Sequence, residues 1–476
     1  MIDRYMINDI GIPGAILMEN AAMRTAEAVM QCGRSGLCAV LIGPGNNGGD
    51  GLALMRILAA HGRESVGVLL CDPEKLSCDA ALNYSIAKKL GLALSDDLSF
   101  IDNAEVIVDA VFGTGLSRSI DGKQLEAIRR ANSTDAYRIA VDIPSGINGD
   151  TGRIMGYCFN ADETVAVFAV KRGLLLTERL ESVGTISVAR IGLVDAKMQS
   201  ALDSETIVDE AFVRSLLPGR KRVSNKGNYG RTLIVAGSQT MPGAAVMCTR
   251  AALRAGSGLT QTFVPAGIES SFAATPETML IVDDGTVDLD EVLRWPDAVC
   301  FGCGAGNDPR KFEKAKAVLC SGKPAVIDAD GLNLMTEELK QLLCANHVIT
   351  PHPGEMSRLT GAPVSEVLAD PVAFAVDFAK KYGCTVLLKN AVSVIASPDG
   401  RIRYNTAGNA GLAKGGSGDV LCGIIGALLA AGLSPFDAAG AGAFLLGSSA
   451  DTAMKLLKER MLTASDVVSA LQCDLC

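Results

Sequence analysis

Gly408-Asn-Ala-Gly-Leu-Ala-Lys-Gly-Gly-Ser-Gly-Asp-Val-Leu-Cys-Gly-Ile-Ile-Gly-Ala-Leu428 is a glycine-rich turn, then one aspartate, then an apolar run. Gly415, Gly416 and Gly418 let the backbone turn tightly and bring its N–H groups close to a ligand. A helix starting near Gly418 aims the positive end of its dipole at the same spot. Asp419 stands there as a candidate base or phosphate-positioning carboxylate. The plainer alternative is an Asp cap on a buried helix. The spacing G-x-x-x-x-G-K-[ST] is absent, which excludes a standard P-loop.

Outward from this turn, short apolar runs alternate with helical stretches, the rhythm of parallel α/β folds. In the first half, strands are expected at Leu37–Ile42, Ser65–Leu70, Glu105–Val111, Tyr137–Val141 and Thr164–Val170. A long helix precedes them. In the second half they are expected at Arg231–Ala236, Gly258–Val264, Ala298–Gly302, Ala325–Asp328, Val348–Thr350 and Thr385–Lys389, with a hairpin at Val392–Ala396 and Ile402–Tyr404. The rhythm pauses between about Val194 and Arg231. The boundary is placed near residue 205, giving domains 1–205 and 206–476, the second opened by a short helix at Asp209–Leu217. The predicted class is α/β: an N-terminal Rossmann-like doubly wound parallel sheet and a second α/β domain. No internal repeat is evident.

Composition agrees. Of 476 residues, 48% are hydrophobic but only 4% aromatic, and glycine numbers 51, a mix suited to parallel sheets with tight loops. The net charge of −9 and the lack of a long basic stretch argue against nucleic acid. The longest apolar run, Val420–Gly432, is too short for a membrane span. A polar start without a secretory signature points to the cytoplasm. Fourteen scattered cysteines fit reduced thiols. Two CxxC pairs, Cys300/Cys303 and Cys473/Cys476, lack the usual surroundings of a zinc knuckle. The Ala/Gly-rich stretch Ala438–Ala450 suits an interface, and a homo-oligomer, a tetramer or larger, is expected.

In open α/β sheets ligands sit at strand carboxyl ends. In the second half these carry Asp328, Asp330 and Asn333, then His352 between two prolines, then Lys389 and Ser393. In the first half Gly43-Pro-Gly-Asn-Asn-Gly-Gly-Asp-Gly-Leu52 follows a strand and opens a helix, without G-x-G-x-x-G spacing, so an ordinary NAD dehydrogenase is set aside. Asp109 and the pair Asp142 and Ser145 end two further strands. Each of these groups also reads as an ordinary turn or cap.

The second half resembles the ribokinase-like superfamily, and within it the NAD(P)H-hydrate dehydratase branch. The matching stretches are Lys226-Gly-Asn-Tyr-Gly-Arg231, Ala236-Gly-Ser238 with Pro242-Gly-Ala-Ala245, Asp328-Ala-Asp-Gly-Leu-Asn333, Thr350-Pro-His-Pro-Gly-Glu355 and Gly415-Gly-Ser-Gly-Asp-Val-Leu421. The resemblance implies an ADP-dependent dehydratase using Mg2+. Ala244, Gly306, His352 and Asp419 would contact the hydrated nicotinamide nucleotide, with Asp419 as catalytic base. Lys389, Asn390, Ala391, Val392, Ser393 and Gly418 would hold ADP or AMP. Cys303 stands where the family usually has proline, and Asn390 where it often has glycine.

The first half, with Leu17-Met-Glu-Asn-Ala-Ala22, resembles the NAD(P)H-hydrate epimerase domain. By that resemblance Asn46, Asn47, Gly48, Gly49, Asp50, Gly113, Thr114, Gly115, Leu116, Ser117, Arg118 and Ser119 would bind the hydrated nucleotide, with Asp142 as acid/base. Asn47, Asp109 and Ser145 would hold K+. The family's second catalytic group, often a lysine, has no clear equivalent in the motifs, Arg118 being nearest. The implied function is bifunctional: interconversion of (R)- and (S)-NAD(P)HX, and nucleotide-driven dehydration of the S form. Two rivals are a vitamin or sugar kinase fused to a nucleotide-binding regulatory domain, and a nucleotide-sensing first half with a dead site.

Overall fold

The apolar runs of the first half become parallel strands because both their faces are covered. In the computed structural model, which describes residues 5–192, 195–217, 219–306 and 310–471, the chain divides into two units, Met1–Gln199 and Ser200–Cys476. The first unit is built on β1 (Cys38–Ile42), β2 (Ser65–Leu69), β3 (Ala93–Ser95), β4 (Val106–Ala110), β5 (Tyr137–Val141), β6 (Glu163–Val167) and β7 (Thr185–Ala189). Their order is β3-β2-β1-β4-β5-β6-β7, every pairing parallel. Every residue of β1 and β4 is buried, which explains runs such as Cys-Ala-Val-Leu-Ile with no alternation. The strand order reverses between β1 and β4, so the crevice for a ligand opens at their carboxyl ends.

The second unit holds β8 (Glu205–Ile207), β9 (Arg231–Val235), β10 (Leu259–Pro265), β11 (Met279–Asp283), β12 (Ala298–Phe301), β13 (Ala325–Ile327), β14 (His347–Ile349), β15 (Thr385–Leu388), β16 (Ser393–Ala396) and β17 (Ile402–Asn405). Their order is β11-β10-β9-β12-β13-β14-β15-β16-β17-β8. The run from β11 through β15 is parallel, and β16 returns antiparallel to β15 and to β17. The reversal falls between β9 and β12, so the glycine turns after β12 and the polar ends of β13, β14 and β15 share one rim.

The opening stretch forms a helix, Ser417–Ala430, whose residues from Val420 onward are all buried. It is gripped by the helices Pro242–Arg254 and Pro435–Met454. Contact is close enough that a Cβ on Gly423 would stand 2.1 Å from the carbonyl oxygen of Cys248. Only glycine lets the two backbones meet at that distance. The stretch Ala438–Ala450, read as a possible interface, is instead part of this interior: ten of its residues are buried within the helix Pro435–Met454. Its small side chains serve close helix packing inside the unit.

Four strands escaped sequence reading: β3, β7, β8 and β11. All are short or half-exposed edge or near-edge strands, with little apolar pattern to mark them. At the amino ends of β9 and β12, Arg231 pairs with Asp297 at 2.7 Å and lies over Trp295, the chain's one tryptophan. Among the described residues no helix is long and apolar enough to cross a membrane. Cys473 and Cys476 lie outside the described residues.

Candidate active sites

At the switch point of the first sheet, the loop after β1 leads directly into the helix Asn46–Ala60. A cleft of about 780 Å³ opens there, lined among others by Asn46, Asn47, Asp50, Gly113, Thr114, Gly115, Leu116, Ser117, Arg118 and Asp142. Of the expected binding residues, Gly48, Gly49 and Ser119 do not line it; Gly48 and Gly49 are buried in the first turn of that helix.

Asp142 follows β5 in a left-handed conformation, φ 71°, and Phe168 across the cleft also has a positive φ, 69°. Such backbones cost energy in a non-glycine residue and collect at functional sites. The Asp142 carboxylate accepts from the N–H of Val167 at 3.2 Å and is ion-paired with Lys171, both side chains being less than a fifth exposed. Lys171 is the cation that sequence reading missed. It stands four residues past the end of β6 and lines the cleft. The strand-end rule that drew attention to Asp109 and Asp142 would have found it. Arg118, the expected nearest group, lines the same cleft but is exposed.

Beneath the cleft, the buried Asp109 carboxylate accepts from the Ser145 N–H and Oγ, each at 2.7 Å, and from the Val111 N–H at 3.1 Å. Burial nevertheless outweighs these bonds and pushes its pKa up to about 6. Asn47 donates to the Val141 carbonyl at 3.2 Å, while its buried Oδ1 has no partner. The buried, unpartnered Asn47 Oδ1, with the Asp109 and Ser145 oxygens, is the kind of oxygen-only donor set a hard monovalent ion takes.

In the second unit, Lys389 leaves β15 and meets Asp328, at the end of β13, at 2.6 Å. Glu355 stands 3.9 Å from the same ammonium. Burial works against the Lys389 charge, yet these two carboxylates prevail and raise its pKa. Gly418 completes the spot: a Cβ there would lie 3.1 Å from Asp328 Oδ2 and 3.5 Å from Lys389 Nζ. Asp419, one residue on, is pushed up to about 6 by burial and by the neighbouring Asp328 charge, against the Cys303 thiol and Lys389. Burial likewise raises Glu355. Two carboxylates thus share one ammonium at the start of a helix, with the Asp419 carboxylate nearby, a group short of positive charge.

His352 caps the helix Pro353–Thr360: its Nδ1 accepts from the N–H of Gly354 at 3.0 Å and of Glu355 at 3.3 Å, and Glu355 returns a bond to its N–H at 2.8 Å. Its side chain is half-exposed, with Nε2 3.5 Å from Glu355 Oε1. Gly306 donates to Asp330 at 2.8 Å, and a Cβ on it would stand 2.9 Å from Ser238 Oγ. A Cβ on the neighbouring Gly304 would be 2.6 Å from that of Ala244. These residues form one wall. In the turn after β15, Asn390 and Ala391 are exposed, Val392 is buried, and Ser393 begins β16.

Residues 232–472 match the family described as NAD(P)H-hydrate dehydratase, and residues 14–173 the YjeF-related protein N-terminus. A bifunctional NAD(P)H-hydrate repair enzyme from Moorella thermoacetica is 36% identical over 99% of this chain and 94% of its own length. The chain belongs to the bifunctional NAD(P)H-hydrate repair enzyme family. The Escherichia coli member is 37% identical over 94% of this chain and 88% of its own. Two solved structures share the fold of this family's dehydratase half. A ribokinase-like superfamily protein from Enterococcus faecalis is 26% identical with a TM-score of 0.53, covering 58% of this chain and 96% of that one. An ADP/ATP-dependent NAD(P)H-hydrate dehydratase from Bacillus subtilis, co-crystallized with ATP/Mg2+, is 28% identical with a TM-score of 0.50, covering 56% of this chain and 96% of that one.

Proposed function

We propose that the first unit interconverts (R)- and (S)-NAD(P)HX, and that the second dehydrates (S)-NAD(P)HX to NAD(P)H at the expense of ADP, yielding AMP and phosphate. The observation that carries this reading is the convergence of Lys389, Asp328, Glu355 and Asp419 on the glycine turn at Gly418, in a chain whose two halves match the two halves of the family. A fused vitamin or sugar kinase is disfavoured because the relatives match over both halves, not the second alone.

In the second unit, hydroxide is a poor leaving group from C6 of the hydrated ring. Asp419 takes the proton of that hydroxyl as its oxygen attacks the terminal phosphorus of ADP, and AMP departs. The ring nitrogen's electron pair then expels phosphate from C6, and loss of a proton from C5 to water forms the C5–C6 double bond of the dihydronicotinamide. Lys389 and the N–H groups at the start of the Ser417–Ala430 helix bind the phosphates. The turn Asn390–Ser393 borders the nucleotide, while Ala244, Gly306 and His352 border the nicotinamide. Asp328 and Glu355 are the groups to hold Mg2+ together with the phosphates, since they outnumber the one ammonium beside them; the ion would offset charge on the transferring group.

In the first unit, Asp142 moves a proton at the epimerising centre, and Lys171 orients its carboxylate. Asn47, Asp109 and Ser145 supply oxygen ligands for K+, which would screen substrate phosphate and firm the loop. Free thiols among the described residues and these substrates support reading the chain as cytoplasmic. The deciding test mixes both NADHX epimers with ADP, or with ATP, and follows NADH absorbance. Complete recovery is expected. Recovery of the S fraction alone would remove the epimerase claim, and none with either nucleotide would remove the dehydratase claim.

A further inference from the structure

Cys300 lies in β12, Cys303 in the turn after it, Cys248 in the helix Pro242–Arg254 and Cys422 in the helix Ser417–Ala430. The sulfurs of Cys248, Cys300 and Cys422 lie within 4.8 Å of one another, all buried. The Cys303 thiol is within hydrogen-bonding reach of those of Cys248 and Cys422 and is itself 1% exposed. We propose that Cys248, Cys300 and Cys422, completed by Cys303, form a structural thiolate site for a thiophilic metal ion of the zinc class.

The bland alternative is that cysteine, a small apolar residue, fills a crowded helix crossing. Three observations favour a ligand set. Cys38, Cys158 and Cys384, the other buried cysteines among the described residues, belong to other parts of the fold, so three sulfurs share one point with a fourth against two of them. Those four come from three elements distant in sequence. Cys300-Phe-Gly-Cys303-Gly304 has the two-residue spacing of a thiolate half-site, on a turn whose Gly302 and Gly304 have φ of 108° and 60°. The surroundings this pair lacked in sequence are supplied by Cys248 and Cys422.

Zinc–sulfur bonds of about 2.3 Å put the sulfurs of a tetrahedral site about 3.8 Å apart, so Cys248, Cys300 and Cys422 need a contraction of about 1 Å at most, and Cys303 must swing toward Cys300 to close the site. Each ligating thiol would release its proton to water. The ion would fasten both helices to β12, on the same helix and three residues from Asp419. Complete burial predicts loading during folding and slow release to chelators.

The test uses the untagged full chain, expressed with added zinc, purified reduced and dialysed against a chelator. About one zinc per chain is expected by elemental analysis. Refolding with Co2+ should give thiolate-to-cobalt charge-transfer bands and a tetrahedral visible spectrum. C473S/C476S should keep the metal, whereas C248A/C422A should lose it and unfold at lower denaturant. Substoichiometric metal, metal retained by C248A/C422A, metal lost from C473S/C476S, or a disulfide among the four core cysteines would each overturn the proposal. If C248A/C422A does not fold, the metal content and cobalt spectrum of the natural chain still decide. Repair activity is not the readout, so this inference and the proposed function fail separately.

Discussion

Asp419 carries the sharpest residue-scale consequence. Its pKa is raised to about 6, so between about pH 4 and pH 6 the folded chain binds more protons at this group than the unfolded chain does. Its contribution to stability therefore falls as pH rises through that window. A base must be ionised, so dehydration should run the opposite way. We expect its initial rate to climb between about pH 5 and pH 7 and then level, with Asp419→Asn losing roughly 10²–10⁴-fold in kcat and sparing epimer exchange. A flat profile in single-turnover dehydration would remove Asp419 as the base. Asp109 obeys the same arithmetic, its pKa also lying at about 6. Because a neutral carboxyl is a poor ligand for a cation, potassium should raise the thermal midpoint of the first unit at pH 7.5 and hardly at pH 5; equal shifts with choline would refute the site. Lys171→Met should slow epimer exchange by roughly 10²-fold or more, with Lys171→Arg partly restoring it. An unchanged exchange rate would leave Lys171 a mere structural partner of Asp142. Sequence motifs brought Asp142 and Asp109 into view, because each directly follows or ends an apolar strand. Lys171 directly follows the expected strand Thr164–Val170 and was within reach of the same rule, but only the fold pairs it with Asp142.

Elements were legible in proportion to their burial. β1 and β4, covered on both faces, showed as unbroken apolar runs, while three-residue β8 owes its existence to pairing with β17. The apolar Ser417–Ala430 helix was legible as an element, but its glycines acquire meaning only beside their neighbours. Gly423→Ala forces a methyl against the Cys248 carbonyl, 2.1 Å away, where neither backbone can yield without parting the helices. We expect about 1–3 kcal/mol of destabilisation, read as a lower urea midpoint for the second unit. Dehydration should suffer with it, since the same helix presents Asp419. A neutral Gly423→Ala would mean that the crossing is looser than its geometry. The small residues of Ala438–Ala450 teach the complementary point: composition marks a surface made for close packing, and only the fold says against what.

At the scale of the molecule, each unit carries its own sheet and its own core. The contact-based division after Gln199 falls inside the helix Ala196–Asp203, whose Met198 is buried in the first core. A cut after Ser204 therefore respects both cores, leaving β8 to the second sheet. We expect residues 1–204 alone to exchange the epimers and residues 205–476 alone to dehydrate only the S form. Mixing the two fragments should restore complete NADH recovery, and an inert first fragment would show that this unit needs its neighbour to act. The lone tryptophan adds an optical consequence. Trp295 lies in the second unit, against Arg231. Its emission is blind to the first unit, whereas far-ultraviolet dichroism sees both, so any gap between the two melting curves assigns each transition to its half without cutting the chain.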